Sequence, residues 1–212
     1  MFKKIIGHIE NFFFPQRCLI CKKENELLCR PCLKKIDFPD IPQEKNIFAA
    51  TNYQDHAIKR AIWLLKYRGV KQMAEPLAEL VKQRVSGKIR LKDPLIIPVP
   101  VSRRRLRQRG YNQAEIIAKH FQSSRGCLDG VVAANILYKK IHTESQVSAR
   151  DREKRLGNVI GSFEVKNAER IKGRNVILLD DVYTTGATMR EAMRALRQAG
   201  AKKIIGIVVA RG

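Results

Sequence analysis

VILLDDVYTTGAT, residues 176–188, joins an apolar strand to two adjacent carboxylates and then to a loop of threonine and glycine that opens a helix. In an open α/β sheet, ligands collect outside the carboxyl ends of the strands, which is where such a loop must lie. Gly186 lets backbone N–H groups approach an anion, and the helix that follows presents unpaired N–H groups and a positive dipole end. Thr184, Thr185 and Thr188 add hydroxyl donors around Ala187. Asp180 and Asp181 stand at the strand end, where a carboxylate can accept hydrogen bonds from vicinal ribose hydroxyls or help hold a hydrated Mg²⁺. An aspartate that merely starts a turn and a threonine that merely caps a helix would explain one residue of each, not the ordered run. A phosphate cradle formed by Asp180, Asp181, Thr184, Thr185, Gly186, Ala187 and Thr188 is therefore expected.

Outward from this stretch, the apolar pattern alternates between strand and helix periods. Asn175 to Leu179, a helix from about Thr188 to Gln198 stopped by Gly200, and Ile204 to Ala210 make a βαβ unit. Upstream, Ile47 to Tyr53 reads as a strand, and Ile58, Ala61, Ile62 and Leu65 mark a helix that Asp55 can cap. Ala74, Leu77, Ala78 and Val81 mark a second helix. Pro94 to Val99 suits a strand buried on both faces, and Ala114, Ile117, Ala118 and Phe121 mark a third helix capped by Asn112. Val131 to Tyr138 reads as one further strand. The fold class that follows is α/β, a parallel sheet with helices on both faces.

Four of the five cysteines, Cys18, Cys21, Cys29 and Cys32, are spaced C-x2-C-x7-C-x2-C, as two facing metal knuckles are. Tetrahedral zinc needs four converging thiolates, and each C-x2-C turn supplies two. An iron–sulfur cluster or empty thiols are the alternatives, and Cys127 stands apart. Asp37 to Lys45, with Pro39 and Pro42, reads as a linker. Two domains are expected: residues 1–45, a small zinc-binding segment behind an amphipathic N-terminal helix (Phe2, Ile5, Ile6, Ile9), and residues 46–212, the α/β body. No apolar run approaches the roughly 18 residues of a membrane span. A cytoplasmic location is expected, with at most a peripheral contact at the inner membrane.

The charge is the unusual property: 42 Lys+Arg against 20 Asp+Glu leave a formal +22. Such an excess points to a polyanion partner. It is densest in Pro100 to Gly110, read as a loop directly after the strand ending at Val99, with Arg103, Arg104, Arg105, Arg107 and Arg109. Guanidinium forks suit phosphate oxygens, and five of them exceed what one pyrophosphate needs. A second basic stretch, Lys139 to Asn158, is read as a lid over the site, a nucleic-acid contact or a disordered loop. Tyr67 beside Arg68 and Tyr111 near Arg109 are the candidate stacking residues, a place in the core being the alternative for either.

The run 176–188 resembles the ribose-5-phosphate signature of type I phosphoribosyltransferases. With CLICKKENELLCRPC near the start, LKYRG at Leu65 to Gly69, PVPVSRRRLRQRGYNQA at Pro98 to Ala114, and Arg152, Arg155 and Asn158 within Gln146 to Phe163, the chain resembles the ComF family. That resemblance implies a zinc-binding N-terminal segment, a phosphoribosyltransferase-like body and a role in natural transformation and DNA uptake. It also implies phosphoribosyl pyrophosphate with Mg²⁺ as ligand, the pyrophosphate lying against the arginine-rich segment.

Three functions remain open at this stage. One is a protein that binds the phosphoribosyl ligand and single-stranded DNA. Another is an active transferase that moves phosphoribosyl to a base or amine with release of pyrophosphate. No residue stands out as its general acid or base, and His56, His120 and His142 are scattered. The third is a scaffold that recruits a DNA-uptake helicase or channel through the zinc segment.

Overall fold

The computed structural model describes residues 17–36, 44, 46–122, 130–140 and 161–212. The expected N-terminal amphipathic helix, all of the linker except Glu44, Cys127 and residues 141–158 of the second basic stretch lie outside the described residues.

In chain order the elements are α1 (Arg30–Lys34), β1 (Ile47–Asn52), α2 (His56–Tyr67), α3 (Ala74–Val85), β2 (Leu95–Pro98), α4 (Arg103–Arg109), α5 (Gln113–Gln122), β3 (Val131–Val132), β4 (Leu137–Lys139), β5 (Phe163–Val165), β6 (Asn175–Tyr183), α6 (Ala187–Gln198) and β7 (Lys203–Arg211). Short 3₁₀ turns cover Lys71–Met73 and Ala168–Arg170. The main sheet has the order β1-β7-β6-β2-β3, and every pairing in it is parallel. β4 and β5 form a separate antiparallel pair.

Both faces of the main sheet are covered, which is why its central strands read as continuous apolar runs. On β6, Ile177 and Leu179 enter the core beneath α2, α3 and α5, whereas Val176 and Leu178 enter the core beneath α6 and the β4–β5 pair. β7 divides the same way, with Ile205, Ile207 and Val209 on one side and Ile204 and Val208 on the other. At Gly206 a Cβ would lie 3.0 Å from Met189 Sδ and 3.3 Å from Ile47 Cγ1, so α6 sits close on the sheet there and a side chain would have to displace its neighbours.

The expected caps form. Asp55 Oδ1 accepts from Ile58 N–H at 2.9 Å, and Asn112 Oδ1 accepts from Ala114 N–H at 3.1 Å. Among the described residues no helix is long and apolar enough to cross a membrane.

Three elements differ from the reading of the sequence. β6 does not end at Leu179, because β7 continues to pair with it through Val182↔Ala210 and Tyr183↔Arg211; both aspartates therefore lie inside the strand. Val131 to Tyr138 is not one strand. β3 is a two-residue edge beside β2, and after a turn the chain leaves the sheet and pairs as β4 with β5. The arginine-rich segment contains a helix, α4, where a loop was expected. Ser102 Oγ accepts from Arg105 N–H at 3.3 Å to start it, and Gly110, at φ +78°, closes it in the left-handed conformation.

Candidate functional site

The strand order places the site. From β2 the chain moves outward to β3, and from β6 it moves the other way to β7, so the gap between the carboxyl ends of β2 and β6 is a topological switch point. The two strands are locked there by Val99 N–H donating to Leu179 O at 2.8 Å. The Thr184–Thr188 loop leaves β6 at this edge, and α4 follows β2 at the same edge. The sequence-predicted phosphate loop and the head of the arginine run are thereby brought together.

The strand period separates the two aspartates. Asp180 lines a small cavity of about 30 Å³ with Thr184, Thr185, Gly186, Ala187, Thr188, Met189 and Val208, on the α6 side. Asp181 is buried on the α2 side, where Lys66 Nζ meets its Oδ1 at 2.6 Å. Asp180 Oδ1 accepts from the Asp181 N–H at 2.8 Å. Burial first, and the neighbouring Asp181 carboxylate second, raise the Asp180 carboxyl to about 7, against the opposing pull of Lys66 and Lys139. Lys139, at the end of β4, is in turn held below its ordinary value, chiefly by burial and then by the charge of Arg105, while Asp180 opposes the shift. Asp180, Lys139 and Arg105 thus form one mixed-charge cluster beside the loop.

Gly186 has φ +77° and starts α6. Its missing Cβ makes room for the side chains that brace the loop. A Cβ there would collide with the Tyr183 ring and hydroxyl and lie 2.6 Å from Arg190 Nη1. Those two side chains brace the loop from behind: Tyr183 O–H donates to Glu44, Arg190 Nη1 donates to Glu44 Oε2 at 3.1 Å, and Arg190 Nη2 donates to Thr185 O at 2.8 Å. The Tyr183 hydrogen bond, followed by Arg190, holds the Glu44 carboxyl below the usual carboxylate range. Gly186→Val is therefore expected to disorder the loop by displacing Tyr183 and Arg190 and by forcing a β-branched residue into a left-handed backbone. Hydrogen exchange should show lost protection over residues 183–188 with the sheet core unchanged; equal protection in both proteins would contradict the brace.

The arginines of α4 do not act as one patch, because helical geometry fans them around two turns. Among the described residues, none forms an ion pair with Arg103, Arg104, Arg105 or Arg107. Arg109 turns away from the cavity: its Nη1 donates to Gln113 Oε1 at 2.9 Å, and its guanidinium lies 5.1 Å from the Tyr67 ring centroid. Tyr111 is core, its hydroxyl donating to Leu65 O, so it is not available to stack on a base. Tyr67 is 62% exposed.

At the other end of the chain, the Sγ atoms of Cys18, Cys21, Cys29 and Cys32 all lie within 4.8 Å of one another, so the cluster could hold a metal ion. Cys29 Sγ is 3.7 Å from Cys18 Sγ and 3.5 Å from Cys21 Sγ. A tetrahedron with metal–sulfur bonds of about 2.3 Å has edges of roughly 3.8 Å, and these two separations are close to that edge. The first knuckle is shaped by Lys22 N–H donating to Cys18 O at 3.0 Å, and α1 carries Cys32. The segment is not an isolated appendage: Leu28, Leu33 and Ile36 enter the same core as Leu77 and Val81 of α3, and Arg84 Nη2 donates to Ile36 O at 3.2 Å.

Lys66, Lys139, Glu44, Tyr183 and Arg190 were not identified as site residues from the sequence. Lys66 lies in the LKYRG stretch, Tyr183 in the 176–188 run and Lys139 at the head of the second basic stretch, whereas Glu44 and Arg190 carry no local pattern.

Residues 70–212 match the family model described as phosphoribosyl transferase domain. The chain is 28% identical over 204 residues to Competence protein ComFC of Bacillus subtilis (strain 168), which covers 93% of this chain and 75% of that one. It is 40% identical over 111 residues to Competence protein F of Haemophilus influenzae, covering 51% of this chain and 46% of that one. DNA utilization protein YhgH of Salmonella typhimurium is 26% identical over 194 residues, 89% of this chain and 79% of that one.

Proposed function

The chain belongs to the phosphoribosyl transferase domain family and, within it, to the ComF proteins; from that premise we propose that it binds phosphoribosyl pyrophosphate with Mg²⁺, and single-stranded DNA, in the handling of DNA during uptake. The observation that carries this reading is the switch-point assembly of Asp180, the Thr184–Thr188 loop, Lys139 and Arg105. The loop N–H and hydroxyl groups suit the 5-phosphate, and Asp180 suits the ribose hydroxyls or a hydrated Mg²⁺. Mg²⁺ bound with the ligand would neutralise pyrophosphate charge, and the guanidinium of Arg105 suits the remaining oxygens. The names of the relatives, competence and DNA utilization proteins, support the DNA half. In this reading the cysteine cluster holds one structural zinc, the division into units falls at residues 45 and 46, and the protein works in the cytoplasm.

A second reading, transfer of phosphoribosyl to a base or amine, is favoured by the placing of Asp180 on the cavity beside the Asp181 carboxylate, where burial raises its carboxyl to about 7, the range of a general base. One experiment addresses both. The protein is mixed with phosphoribosyl pyrophosphate and Mg²⁺, with and without single-stranded DNA, and phosphorus resonances are followed. Shifted resonances without turnover support binding, release of pyrophosphate supports transfer, and unshifted resonances overturn both.

For DNA, the expected salt dependence is quantitative. Each phosphate neutralised on a single strand contributes roughly 0.7 to the slope of log affinity against log salt. Replacing two of Arg103, Arg104, Arg105 and Arg107 by alanine is expected to flatten that slope by about one to two units, equally for unrelated sequences. An unchanged slope would remove α4 from the DNA contact.

A further inference from the structure

The outer face of α2 is a second aromatic and cationic feature, outside the phosphate site. His56, Arg60, Trp63 and Tyr67 follow one another at helical spacing, while Ile58, Ala61, Ile62 and Leu65 on the opposite face are fully buried. Trp63 is 36% exposed and Tyr67 62%, and their ring centroids are 6.4 Å apart with planes tilted by 44°. Guanidinium groups surround them: Arg60 lies 4.4 Å and Arg68 6.0 Å from the Trp63 centroid, and Arg109 lies 5.1 Å from that of Tyr67. Single exposed aromatics are ordinary on a surface. Two on one stripe, tied to three arginines from two separate helices and a turn, are not.

We propose that the Trp63–Tyr67 face of α2 is a stacking platform for the bases of a single nucleic-acid strand, continuous through Arg109 with the arginines of α4. The proposal rests on the single-strand reading above and supplies the part that the phosphate site lacks, a surface for the bases. Stacking on an aromatic face is tolerant of sequence, since every base has a π-face, and flanking arginines meet the phosphates. No carboxylate occurs in the sequence between His56 and Ala74 or between Pro100 and Ala114, so nothing on these two segments repels a polyanion. The same absence disfavours an ordinary protein partner, whose interface would leave this many cations uncompensated. A base that displaces Arg60 from the indole frees that guanidinium for the adjoining phosphate.

Trp63 is the one tryptophan of the chain, so its emission reports on this face alone. The probes are oligothymidine of roughly 15 nucleotides and an abasic strand of equal length. Binding is followed by anisotropy of a label on the strand, and stacking by tryptophan emission. Oligothymidine is expected to quench Trp63 at saturation; the abasic strand is expected to bind more weakly and leave the emission unchanged. Trp63→Ala should weaken oligothymidine binding by roughly 5- to 100-fold, with affinity for the abasic strand and for phosphoribosyl pyrophosphate unchanged, and Trp63→Phe should recover part of the loss. Equal melting temperatures establish that the variants are folded, as expected for a partly exposed position. Tight oligothymidine binding without quenching, or wild-type affinity in Trp63→Ala, would overturn the platform and leave DNA binding itself standing. Failure of both strands to bind at low salt would overturn the platform together with the DNA half of the proposed function.

Discussion

Asp180→Asn is expected to weaken Mg²⁺-dependent binding of phosphoribosyl pyrophosphate by about 10- to 100-fold, the worth of one charge-assisted hydrogen bond. The amide keeps the size of the carboxylate, so the cavity it lines with Thr184–Thr188 is preserved. The variant also separates ligand binding from stability. Asp180 titrates near 7 in the fold, raised from an ordinary value of 3.8. A carboxyl that holds its proton more tightly when folded than when unfolded favours the fold while it is protonated. That contribution is whole below about pH 4, fades as pH rises toward 7, and is absent above it. Wild-type stability should therefore decline between these limits through this group, and Asp180→Asn should match the wild type at pH 4 and exceed it at pH 8. Ligand affinity should move the other way in the wild type, rising as pH passes through about 7 and Asp180 ionises, and this rise should vanish in the variant. Calorimetric titrations and denaturant melts at pH 4, 7 and 8 check both signs. Equal affinity in the two proteins at pH 8 would remove Asp180 from the site.

Stripping the metal is expected to have the largest effect on stability. Protein purified without chelator should carry one zinc per chain by metal analysis, because the four clustered thiols close the coordination sphere. Zinc released by a strong chelator, or a ligand lost in Cys29→Ser, removes the tie that holds residues 17–36 against α3. Structural zinc contributes roughly 10 kcal/mol or more to the folding of small segments. Loss of order there uncovers the part of the main core that Leu28, Leu33 and Ile36 cover, so the melting temperature of the whole chain should fall, with new binding of a hydrophobic dye. The proposed phosphoribosyl site lies around Asp180 and the Thr184–Thr188 loop, away from the cysteine segment, and its affinity below the melting temperature should be retained. Absence of zinc from the purified protein would sink this expectation, and an unchanged melting temperature after chelation would show that the cysteine segment does not brace the core.

The features legible in the amino-acid sequence are those whose signal is local. The C-x2-C pairs, the caps Asp55 and Asn112, the VILLDDVYTTGAT run and the apolar periods each lie within a few residues of one another, and local spacing is enough to specify them. What only the tertiary structure decided depends on which strands become neighbours. β7 runs on beside β6 past Leu179, which draws Asp180 and Asp181 into the strand and sends them to opposite faces. The order β6-β2 sets the head of α4 beside the phosphate loop, and the departure of β4 from the sheet to pair with β5 carries Lys139 to Asp180. Packing likewise buries Tyr111 under α2 and leaves Trp63 at the surface, although both aromatics look alike in composition. Each of these outcomes joins residues tens of positions apart, and no period or spacing along the chain encodes such a distance. Hydrophobic burial on both faces of one sheet selects the strand order, and the strand order then selects which charges meet.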